Sequence, residues 1–137
     1  MLTWDASLET GIVEIDDQHR LLFARARAVL EAVEAGGGHG EVRRTLEFLL
    51  DYAAEHFALE ERYMALAAYP AAAAHAQEHR ELTGRLQAAA AAYDAGGASG
   101  PLVADVEALV RGWLADHVRR TDRAMATYLA ITGAGAG

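Results

Sequence analysis

The sequence predicts an all-α protein, an antiparallel up-down-up-down four-helix bundle with an extended N-terminal arm. Three observations predict it. The helix breakers are few and grouped: the only prolines are Pro70 and Pro101, and most of the 13 glycines gather at 36–40, 96–100 and the tail 133–137. Between them lie long runs of Ala, Leu, Glu and Arg, all good helix formers. Each run carries one apolar stripe at the 3.6-residue period, and short links between long helices make neighbours antiparallel.

Residues 1–15 show no helical period and read as the arm, with Trp4, Leu8, Ile12 and Ile15 available for packing. The first helix is expected over about 18–35, with Asp16 or Asp17 as its cap. Its stripe runs His19, Leu22, Phe23, Ala26, Val29, Leu30, Val33. The second, about 41–66, presents Val42, Leu46, Leu49, Tyr52, His56, Glu60, Tyr63 and Met64. Pro70 and Pro101 suit the first turns of the third and fourth helices, about 70–94 and 101–131. The third stripe is His75, His79, Leu82, Leu86, Ala89, Ala90 and Tyr93; the fourth is Leu102, Val106, Leu109, Val110, Trp113 and His117. Residues 1–132 thus read as one domain and 133–137 as a flexible tail.

Composition narrows the function. A hydrophobic share of 53% supplies one core. Asp and Glu number 20 against 12 Lys and Arg, a net charge of −8, which argues against a nucleic-acid partner. Cysteine is absent, so thiolate sites and disulfides are excluded. With no secretory pattern at residues 1–10, this fits a cytoplasmic location. No uncharged apolar run reaches the roughly 18 residues of a membrane span, so no membrane partner is expected.

The polar residues on the inward stripes decide the chemistry. Five of the six histidines (His19, His56, His75, His79, His117) fall on them, and only His39 is expected in a loop. Five buried imidazoles would each need partners, and a shared metal satisfies them together. His75 and His79 stand four apart, as do His56 and Glu60, so each pair shares a helix face. His117 and Asp122 add a pair on the fourth helix. Seven ligands exceed tetrahedral zinc, and magnesium or calcium would take mainly oxygen. Imidazole with carboxylate suits iron or manganese in a dinuclear centre. Five nitrogens, two bridging carboxylates and a solvent-derived bridge leave one coordination position open for a small ligand.

These residues, in Gly11-Ile-Val-Glu-Ile-Asp-Asp-Gln-His19, His56-Phe-Ala-Leu-Glu60-Glu-Arg-Tyr-Met64, Tyr69-Pro70, His75, His79, Trp113, His117 and Asp122, make the chain resemble the hemerythrins, specifically the single-domain bacterial ones. The resemblance implies two iron ions with an oxo or hydroxo bridge. His75, His79 and His117 would hold one, His19 and His56 the other, with Glu60 and Asp122 bridging. It implies reversible O2 binding at the iron with two histidines, as carrier, store or delivery module and not as an enzyme. NO or small anions are further expected ligands, and a redox or O2-accepting protein is a possible partner. The alternatives are an O2, NO or redox sensor acting in trans and a di-iron enzyme such as a peroxidase.

Phe23, Tyr52 and Phe57 are expected around the open position, with Trp113 as core near His117. Gln18, Asp16 and Asp17 are expected as capping residues, and Glu61 is expected to face a neighbour or solvent. Arg119, Arg120 and Arg123 should form a solvated basic face. The fourth helix should be irregular. A five-residue step turns a regular helix by about 500°, leaving His117 and Asp122 about 140° apart. Both reach one site only if the helix unwinds, bends or inserts a π-type turn.

Overall fold

The computed structural model describes residues 4–36, 39–95 and 100–132. The tail at 133–137 and parts of two expected glycine-rich links lie outside the described residues. The helices are α1 (Val13–Glu34), α2 (His39–Leu66), α3 (Ala72–Ala95), α4 (Gly100–Glu107) and α5 (Arg123–Thr132). Two π-helical segments, Ala108–Leu114 and His117–Asp122, carry the chain from α4 to α5. Residues 100–132 therefore make one rod, the fourth of an up-down-up-down bundle. α2 packs between α1 and α3, and the fourth rod closes the bundle against both. Among the described residues no helix is long and apolar enough to cross a membrane.

The start of α1 corrects the expectation by five residues. Ile12, not Asp16 or Asp17, precedes the first turn, and no side chain caps it. Asp16 instead reaches back: its carboxylate accepts from Thr10 N at 2.8 Å, Thr10 Oγ1 at 2.7 Å and Gly11 N at 3.1 Å. That clasp holds the bend at Gly11, whose φ of +86° would strain any residue with a Cβ. Burying Ile12 and Ile15 then supports the extra turn. The arm is not extended throughout either, for Ala6–Leu8 form a 3₁₀ turn capped by Asp5. Arg119 donates to Ser7 Oγ at 3.3 Å and Arg123 to the Ser7 carbonyl at 3.0 Å. Two of the three arginines expected as a solvated face thus tie the arm to the fourth rod.

The second helix begins at His39, so this residue opens α2 and does not sit in a loop. α2 ends in a Schellman turn: Tyr69 N donates to the Met64 carbonyl at 3.0 Å and Ala68 N to that of Ala65 at 3.2 Å. Ala68 holds the left-handed position at φ 51°, the role that Gly36 (φ 71°) fills after α1. An alanine there carries a steric penalty that glycine lacks. Ala68→Gly should therefore raise stability by ~0.5–1 kcal/mol, read as a higher denaturation midpoint at constant slope. An unchanged or lower midpoint would contradict it. Pro70 lies in the turn between Tyr69 and Ala72, closed by a 3.1 Å bond, and α3 starts two residues later than expected.

The core comes in two parts. The larger joins Leu22, Phe23, Val29, Leu46, Leu49, Leu86, Tyr93, Val106 and Val110 with their neighbours. The smaller closes the other end with Ile12, Ile15, Leu59, Met64, Met125 and Leu129. Every residue expected on the third stripe is buried.

Candidate metal centre

All seven sequence-predicted site residues meet inside the bundle. α1 supplies His19, α2 His56 and Glu60, α3 His75 and His79, and the second π segment His117 and Asp122. Each is buried, at most 3% exposed, so seven ionisable side chains share a water-poor interior. The π winding lets both residues of the fourth rod take part. In a π turn the backbone bonds i to i+5, so residues five apart stack as those four apart do in an α-helix. His117 Nε2 and Asp122 Oδ1 are 3.0 Å apart.

The carboxylates divide the histidines into two sets. Glu60 Oε2 faces Nε2 of His19 at 3.2 Å and of His56 at 3.0 Å. Its other oxygen, Oε1, faces Nε2 of His75 at 3.2 Å and of His79 at 3.1 Å. Asp122 repeats the division, with Oδ2 against His19 at 2.9 Å and Oδ1 against His75 at 2.8 Å and His117 at 3.0 Å. Two groups result, His75, His79 and His117 on one side and His19 and His56 on the other, with Glu60 and Asp122 common to both. Either group could hold a metal ion.

Direction separates a chelate from a salt-bridge network. Nε2 of His56, His79 and His117 and both oxygens of Asp122 are buried and make no hydrogen bond, although their separations are short enough for one. Lone pairs directed into a common space suit a cation better than protons held between pairs. The same crowding sets the charges when protons fill the site. Burial pushes the His19 imidazole down, but attraction to Asp122 and Glu60 outweighs it and holds the group up at about 10. His75 is held up to about 9 by the same opposition, and His117 is also raised. Burial favours neutral Glu60 and Asp122, yet the surrounding imidazoles hold both carboxyls below their usual range. Metal binding must displace those protons.

Residues 10–129 match the hemerythrin HHE cation binding domain. The chain belongs to the hemerythrin family. It is 32% identical over 124 residues to the bacteriohemerythrin of Methylococcus capsulatus, covering 90% of this chain and 92% of that protein. A bacteriohemerythrin of Pseudomonas paraeruginosa is 31% identical over 121 residues, covering 88% of this chain and 76% of its own length. The fold superimposes on a wild-type hemerythrin crystal structure with a TM-score of 0.82 at 30% identity, over 95% of this chain and 98% of the other.

Around the seven residues this hemerythrin places hydrogen-bond partners on the outer nitrogens of three histidines. His56 Nδ1 donates to Gln18 Oε1 at 2.8 Å, so Gln18 is not a cap. Glu61 does face a neighbour: it accepts from His79 Nδ1 at 3.0 Å. Glu78 accepts from His117 Nδ1 at 2.9 Å and from Thr121 Oγ1 at 2.9 Å. Of the three, only Glu78 went unnoticed in the sequence, and its place beside His79 is the one signal that could have raised it. Aromatic faces hold two rings flat: Phe57 stacks on His79 at 3.9 Å and Trp113 on His117 at 5.0 Å. Trp4 of the arm lies 6.1 Å from His19 and 5.5 Å from Phe23. Phe23 and Phe57 are buried as expected. Tyr52 is only half-buried, with Arg25 stacked 5.2 Å over its ring, so it borders the interior.

Proposed function

We propose that this hemerythrin holds two hydroxo-bridged iron ions and binds O2 reversibly, as a carrier, store or delivery module. The observation that supports the reading is the division of the carboxylate oxygens between three histidines and two. His75, His79 and His117 would hold one iron and His19 and His56 the other, with Glu60 and Asp122 shared between them, so the side with fewer protein ligands would have room for a small ligand. Bound iron supplies the two electrons that O2 takes up on binding and returns on leaving.

The chain's own contribution is positioning and dryness. Glu61, Glu78 and Gln18 fix three imidazoles with Nε2 inward, and Phe57 and Trp113 prevent ring rotation. Phe23, Phe57 and the larger core keep water from the two-histidine side. Neutral imidazoles also outnumber carboxylates five to two, a ligand set that disfavours high-valent iron and so favours binding O2 over splitting it.

The deciding experiment is an anaerobic-to-aerobic optical titration of the iron-loaded protein with an iron assay. Two irons per chain and a colour change reversed by removing O2 are expected; irreversible bleaching would overturn the carrier reading. Azide soaked into the oxidised protein should appear in density beside His19 and His56. Density beside His75, His79 and His117 would reverse the assignment. His79→Ala should lose an iron or its colour. His39→Ala should change neither, because His39 precedes His56 by about 25 Å of helix. Equal effects from these two substitutions would refute the ligand set.

A further inference from the structure

We infer that Gln18 is a positioning residue that keeps the two-histidine side a weak electron donor and thereby keeps O2 binding reversible. The inference rests on the di-iron reading above. Its starting point is the chemistry of what each imidazole meets on its outer nitrogen. On the three-histidine side, His79 and His117 donate Nδ1–H to carboxylates, Glu61 at 3.0 Å and Glu78 at 2.9 Å, while among the described residues His75 Nδ1 has no partner. On the two-histidine side, His56 meets the Gln18 amide at 2.8 Å, and among the described residues His19 Nδ1 has no partner. Among the described residues no carboxylate accepts from the outer nitrogen of either imidazole there.

That difference has a direction. An acceptor on Nδ1–H raises the basicity of Nε2, and an anionic acceptor raises it more than a neutral one. Imidazoles backed by Glu61 and Glu78 donate more strongly and stabilise the ferric state of the metal they hold. The imidazole backed by Gln18 donates less, so its ferrous state is less easily lost. Reversible binding needs the weaker donor set where O2 arrives, because strong donation there favours loss of a reduced oxygen species and leaves ferric iron behind. Gln18 also fixes the tautomer. With the His56 Nε2 lone pair given to a metal, Nδ1 carries the proton, and the amide presents its oxygen to it at 2.8 Å.

Gln18→Glu is nearly isosteric, so it separates electronics from packing; Gln18→Leu removes the acceptor altogether. In the iron-loaded protein, Gln18→Glu should keep two irons, shift the reduction midpoint negative and speed autoxidation about tenfold. Glu61→Gln should shift the midpoint positive. Gln18→Leu should weaken metal binding by about tenfold, the usual consequence of losing such a partner. In zinc-loaded protein, the His56 Nδ1 resonance should move toward the deprotonated range with Gln18→Glu. A wild-type midpoint, autoxidation rate and His56 resonance in Gln18→Glu would overturn the inference while leaving the di-iron reading intact. A wild-type chain that takes up no iron would remove the di-iron reading itself.

Discussion

Chelating the metal should lower the melting temperature at pH 7 by on the order of 15 °C, and the gap should widen toward pH 10. The first part follows from mass action. A ligand present at a thousandfold excess over its Kd stabilises the fold by about 4 kcal/mol. For a domain of this length that corresponds to a shift on the order of 15 °C. The second part follows from the protons that replace the metal. His19 and His75 are held up to about 10 and about 9 in the proton-filled site. A raised imidazole pKa stabilises the fold fully below the unfolded value near 6.5, and that contribution drains away as pH rises through the folded value. The metal-free protein should therefore lose stability between pH 7 and 10. In the loaded protein the same imidazoles are neutral ligands and contribute no such slope. Calorimetric melts of loaded and chelator-treated protein at pH 7 and 9.5 check both parts. Equal melting temperatures would argue against a central metal, and a gap that narrows with pH would refute the proton accounting.

Much of this was legible because the helical period in the sequence is rigid. The 3.6-residue repeat sets the inward face of each helix, so His75 and His79 could be paired with the buried leucines that follow them. The failure of that same repeat between His117 and Asp122 pointed to the π winding now seen at His117–Asp122. Other features depend on how helices rotate against one another, which no single-helix pattern records. The Gln18–His56 contact spans α1 and α2, and the Glu78–His117 contact spans α3 and the fourth rod. Helix ends were misread where side chains act at a distance from their usual place. Asp16 resembles a cap but clasps Thr10 and Gly11, whereas α2 ends at Leu66 as expected, although Ala68 holds a conformation for which glycine is the ordinary sign.

Glu60→Ala should abolish binding of both metal ions, whereas losing a single histidine should cost one. Glu60 stands within 3.2 Å of Nε2 on four histidines, two on each side, through different oxygens. On the di-iron reading, removing it would take one bond from each metal and one negative charge from both. Two divalent ions against two carboxylates and a hydroxide would leave a net charge of +1 in the interior, and without Glu60 this would become +2. The metal-free variant is penalised too, since raised imidazoles would lose a buried counter-ion, at a cost of about 3–5 kcal/mol. Glu60→Gln tests whether shape alone suffices. An amide retains one oxygen, so it can serve one side while its N–H groups repel a cation on the other, and about one iron per chain is expected. Metal content must be normalised to folded protein by circular dichroism, so that unfolding is not counted as lost affinity. Two irons in folded Glu60→Ala would show that the carboxylate does not bridge, and with it the division of five histidines into three and two would lose its meaning.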